Sequence, residues 1–161
     1  VSMREIIERA FGGWVRPNEM IDVPAPLSGD HEDALSFARR DWRDITREDW
    51  EKHSGAITAF SPAAFRYFLG SVMCLSAQRP DQWFWPADTV LGMLDRSPLP
   101  EYWSEFFSER FMGFSEAEYE ALSEWILLLS NYQSEAWNDA CDRAFDTIQL
   151  LKEESRRRLK S

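Results

Sequence analysis

The 161-residue chain carries 28 acidic and 18 basic side chains, for a formal charge of −10, and is 44% hydrophobic, with eight Trp and eleven Phe. That length suits one domain spanning residues 1–161, with rings of ~150–250 Å² each building the core in place of disulfides. Residues 152–161 hold five basic and two acidic side chains, leaving 13 basic against 26 acidic in 1–151. This balance argues against nucleic-acid and anionic-membrane surfaces, which need basic patches, and favours a basic protein partner.

Met3, Ile6, Ile7, Ala10 and Phe11 fall on one face of a first helix that Gly12-Gly13 ends. The run 14–29, with Pro17, Pro24 and Pro26, reads as a loop across the surface. Helical spacing returns over 30–40 through Ala34, Leu35, Phe37 and Ala38. Thr46-Arg47-Glu48-Asp49 has capping-box spacing and opens a short helix through His53. Ser61-Pro62 is a strong start for a helix over 62–78. Phe65, Phe68, Leu69, Val72 and Leu75 share one side of it, Tyr67 and Cys74 another, and Arg66 is its only charge, so it belongs in the middle of a bundle.

Pro80 to Pro86 encloses Trp83-Phe84-Trp85, a short helix follows over 87–95, and Pro98 and Pro100 break it. Trp103, Phe106, Phe107 and Phe111 are in register for a helix over 101–112, closed by Gly113. Ser115 and Glu118 form a capping box for a helix over 116–131. The last helix, 134–159, carries a stripe from Trp137 to Leu151, opposite Glu135, Asp139, Asp142, Asp146 and Glu153. The expected fold is therefore all-α, a compact bundle of about six to seven helices with a long amphipathic C-terminal one. Cys74 and Cys141 sit in apolar patterns and read as buried thiols. With no ~18-residue apolar span and no leader pattern, the expected location is the cytoplasm.

The string Trp42-Arg43-Asp44-Ile45-Thr46, then His53, Ala56-Ile57 and Phe60-Ser61-Pro62-Ala63-Ala64-Phe65-Arg66-Tyr67-Phe68-Leu69, resembles a widespread bacterial family of small proteins filed as a domain of unknown function. Its members carry W-x-D-[IV]-T, a spacer ending in His, and A-[IL]-x-F-[LF]-S-P-x-A-F-R-Y-Y-L-P. The likeness runs over 3–132, is sharp across 42–69, and leaves the C-terminal helix unmatched. Gly70 stands at the family's proline and Phe68 at its second tyrosine. The resemblance implies one bacterial domain and names no activity.

His31 and His53 are the only histidines and have no zinc-ligand spacing, so no metal or cofactor is expected. His53 reads as a helix-end cap. Asp41, Asp44, Glu48, Asp49 and Glu51 cluster beside Trp42 and Trp50, interleaved with Arg39, Arg40, Arg43 and Arg47. They make a salt-bridged surface, a partner-binding patch or, less readily, an acid/base site. Ser61 lacks a G-x-S-x-G frame and is sufficiently explained as a cap. Arg66 on an apolar helix calls for a carboxylate, with Asp44 the first candidate. Trp83 and Trp85 are either core anchors or a protein-binding hot spot.

These features point to a non-enzymatic binding protein, an immunity protein that neutralises a basic toxin. Asp41, Asp44, Glu48, Asp49, Trp83, Trp85, Glu135, Asp139, Asp142 and Asp146 would form its contact surfaces, with Ser61, Phe65, Arg66 and Tyr67 structural. The alternatives are an enzyme using the Asp44/His53/Arg66 neighbourhood and a helical regulatory adaptor. Oligomeric state is left open by the composition.

Overall fold

The computed structural model describes residues 1–132 and 134–160, apart from the side chains of Glu135 and Ala136. Its α-helices are α1 (Met3–Phe11), α2 (Gly29–Leu35), α3 (Arg47–Lys52), α4 (Ala56–Ala59), α5 (Pro62–Gln78), α6 (Trp85–Leu94), α7 (Glu105–Phe111), α8 (Glu116–Ser130) and α9 (Glu135–Leu159). Short 3-10 turns lie at Trp42–Asp44 and Pro100–Tyr102, and no strand occurs among the described residues. The protein is all-α, as the periodicity predicts, but divided into more helices than the six to seven expected.

The extra divisions have local causes. α2 stops at Leu35 rather than running to Arg40, because the chain turns through Arg39 in the left-handed region at φ 66°. That turn buries Phe37 completely and leaves Leu35 and Ala38 exposed, against the helical face predicted for them. The expected 101–112 helix is interrupted because the Ser104 hydroxyl accepts from Phe107 N at 3.2 Å, starting α7 afresh. α4 is a single turn with no side-chain cap and was invisible to periodicity.

Where caps are strong, the expected boundaries hold. Ser61 Oγ accepts from Ala64 N at 3.1 Å and Pro62 opens α5. The Thr46/Asp49 and Ser115/Glu118 boxes are both closed. The 14–29 loop is anchored to the start of α5, since Ser61 N donates to Met20 O at 2.8 Å and its hydroxyl to Glu19 O at 2.9 Å. Met20 and Ile21 of that loop are buried.

α5 occupies the centre, touching α1, α6, α7, α8 and the Trp42 turn, while α9 closes the bundle against α8 and α6. Phe65, Phe68, Leu69 and Val72 are all fully buried. Phe60 stacks on Phe68 at 5.2 Å, and Phe65 meets Phe111 edge-on at the same separation. α5, whose one charge is Arg66, still supplies hydroxyl acceptors to two of the indoles around it. Ser71 accepts from Trp50 Nε1 at 3.0 Å and Ser76 from Trp125 Nε1 at 2.8 Å. Gly70 admits the ring of Trp42, which a Cβ there would meet at 3.1 Å. Tyr67 is buried, and Cys74 and Cys141 are buried free thiols. Burial pushes the Cys74 thiol up to about 11, which keeps it protonated and unreactive.

Candidate functional site

Asp44, His53 and Arg66 are held separately. Arg66 does not pair with Asp44 as expected: its guanidinium donates to Glu109 O at 3.2 and 2.9 Å and to Met112 O. α7 ends at Phe111, so those carbonyls have no helical donor and a cation meets them favourably. The Arg66 group also lies over the rings of Phe114 and Trp14, at 5.0 and 5.8 Å. Burial lowers its pKa, against the nearby Tyr119 and Glu118. His53 ends α3, but its ring meets Asp33 Oδ1 at 3.4 Å and the edge of Phe37 instead of capping carbonyls. Asp33 also accepts from Gly55 N at 3.0 Å, joining α2 to the α3–α4 turn. Asp44 is exposed on its 3-10 turn. No hydrogen bond or ion pair among the described residues joins any two of the three.

The acidic segment 41–51 is partly consumed by its own arginines. Asp49 closes the Thr46 box and takes Arg40 Nη2 at 3.0 Å, which holds its carboxyl down to about 2. Asp41 accepts from Arg43 N at 2.9 Å and from the Arg43 guanidinium at 3.3 Å. That guanidinium also covers the Trp42 ring at 4.6 Å. Asp44, Glu48 and Glu51 are left exposed.

On α9, Asp139, Asp142 and Asp146 are exposed, while Cys141, Ala144, Ile148 and Leu151 are buried behind them. The Glu135 side chain lies outside the described residues. Asp142 and Asp146 flank a groove of about 320 Å³ between α8 and α9, floored by Ile126, Leu127 and Phe145. Leu127 is 48% exposed. Arg143, on the same helix, is turned to α6 by a two-pronged ion pair with Asp95 at 2.8 and 3.0 Å. The groove therefore combines an apolar floor with an anionic rim.

Trp83-Phe84-Trp85 divides by residue. Phe84 is 4% exposed and goes inward, whereas Trp83 and Trp85 are 71% and 46% exposed at the start of α6. Neither Trp is a core anchor. Their rings and Glu51 border a cleft of about 300 Å³.

Arg110 was missed from sequence. It is 3% exposed, donates to Phe60 O at 2.7 Å and Phe106 O at 3.1 Å, and lies 3.7 Å from the Phe106 centroid. Asp22 of the 14–29 loop is 3.9 Å away. Its place in a short amphipathic helix resembles that of any surface arginine; the backbone acceptors, the Phe106 ring and Asp22, all set by tertiary packing, draw it in. The Trp14–Glu118 bond, 2.6 Å long across 104 residues, was equally unreadable. No group of three or more His, Cys, Asp or Glu able to hold a metal ion occurs among the described residues, and no described helix is long and apolar enough to cross a membrane. Comparison with protein-family models, curated proteins and solved structures gives no match.

Proposed function

We propose that this protein is a non-enzymatic binder of a basic protein, and that it acts as an immunity protein, occluding a cationic toxin. The observation that carries this reading is the α8–α9 groove, where Asp142 and Asp146 rim an apolar floor containing half-exposed Leu127. Exposed rim carboxylates raise the encounter rate with a cationic face, and a desolvated apolar centre slows escape. The net charge of −10 extends the same attraction over the whole molecule.

The test is purification from the native host followed by identification of whatever protein remains bound at stoichiometry. A basic protein whose toxicity or activity is blocked by equimolar addition of this chain supports the proposal. An acidic partner, or one whose activity is unchanged when bound, contradicts it.

A further inference from the structure

Trp83 and Trp85 are fixed without being buried. Trp85 Nε1 donates to Ser54 O at 3.2 Å, and Trp83 Nε1 donates to the Asp88 carboxylate. Buried Phe84 anchors the chain between them. The two rings meet edge to face, centroids 6.1 Å apart and planes at 61°, forming an aromatic corner beside Glu51. Their indole donors are already satisfied, so what remains for a ligand is ring surface. Rings held this way lose little freedom on binding.

The charges around the corner select the ligand. Glu51 is the charged side chain lining the cleft. Asp88, behind Trp83, is half-buried, and burial raises its carboxyl although the indole bond opposes the rise. Among the described residues it has no ion pair. An anionic ligand would meet Glu51, with Asp88 behind the Trp83 ring, and a neutral apolar one would desolvate Glu51 without compensation. A cation gains from the ring faces and from the carboxylates together. The opposing charges are Arg47 and Lys52 of α3 and Arg79 at the end of α5. Arg47 lies over the Phe84 ring at 4.5 Å and is tied back to Leu75 O at 3.1 Å; burial and the neighbouring Arg79 lower its pKa, against Glu51 and Asp81. Lys52 is exposed.

We infer that this corner receives a Lys or Arg side chain of a protein partner, its cationic head against Trp83 and Trp85 and beside Glu51. A free small amine is a poorer occupant, because small-ligand sites enclose most of their ligand and Trp83 stands 71% in solvent. A protein segment brings its own cover. The inference rests on the proposed basic partner and adds the side chain that partner inserts.

Indole N–H resonances in ¹⁵N-labelled protein read this directly. N-acetyl-arginine amide and N-acetyl-lysine amide should shift the Trp83 and Trp85 signals saturably, with N-acetyl-norleucine amide as the uncharged control. Glu51→Gln should weaken the charged probes by about fivefold, and Trp83→Ala should remove saturable shifts at Trp85. Equal response to the norleucine probe, no response to any probe, or tetramethylammonium binding tenfold tighter than either amino-acid probe would each overturn the inference. If the probes fail while α9 variants still slow a basic partner, this subsite alone is lost. If they bind and no basic partner exists, the corner stands and the proposed function falls.

Discussion

Arg66 and Asp49 are charged side chains spent on the fold, and each makes a measurable claim. Arg66 closes the open end of α7 through the Glu109 and Met112 carbonyls. Arg66→Met should cost about 1–2 kcal/mol in urea unfolding, the loss of charge-assisted hydrogen bonds to carbonyls that are exposed or part-buried, which is less than the ~3–5 kcal/mol for breaking a buried ion pair. An unchanged midpoint would place the guanidinium in solvent. Asp49 titrates at about 2 when folded because Arg40 and the Thr46 cap hold its charged form, against an unfolded value of about 3.9. A depressed acid stabilises the fold above the unfolded value and loses that contribution as pH falls from about 4 to about 2. Because Asp49 and Arg40 are 25% and 38% exposed, the effect should be only on the order of 1 kcal/mol. Asp49→Asn should remove that part of the acid dependence, visible in denaturation midpoints at pH 5 and pH 2.5. Arg66 was legible as the lone charge on an apolar helix, but its partners were not. Backbone acceptors lie at 43 and 46 residues' separation and carry no residue identity to read.

α5 is the element on which the others depend, and its start was readable because Ser61 and Pro62 act within one turn. Its buried face was readable for the same reason: position on a helix face follows from spacing alone. α4 and the early end of α2 were not, since one depends on a turn without a side-chain cap and the other on a left-handed Arg39. Two substitutions test α5. Phe65→Ala removes a fully buried ring packed on Phe111 and should cost about 3–5 kcal/mol. Gly70→Ala should gain about 1 kcal/mol of helix propensity. The new methyl, however, would press at 3.1 Å on Trp42, which is 1% exposed and has little room to yield. Overpacking of about 1–3 kcal/mol should outweigh the gain, so the variant should melt lower than wild type. A higher melting temperature would show that the Trp42 ring shifts freely.

At the scale of the whole molecule, the division of charge is the feature that bears on function. Asp139, Asp142 and Asp146 are exposed on the long closing helix, and their amphipathic placement was evident from the periodicity. The groove that Asp142 and Asp146 rim was not. It is made by Ile126 and Leu127 of α8 meeting Phe145 of α9, and which helices pack together is a tertiary fact that spacing within one helix does not contain. Changing these carboxylates to Asn should move the melting temperature by no more than a few degrees, since exposed substitutions away from caps and core stay within about ±0.5 kcal/mol. Exposed charges that steer encounter should also be sensitive to salt, because the screening length falls from about 10 Å at 0.1 M to about 3 Å at 1 M. The most direct measurement is the association rate with the partner identified by co-purification, for wild type and for the Asp139/Asp142/Asp146→Asn variant at low and high ionic strength. Capture through the α9 rim predicts a variant at least several-fold slower at low salt, a difference that shrinks at high salt, and a nearly unchanged dissociation rate. An association rate equal to wild type at low salt would contradict it.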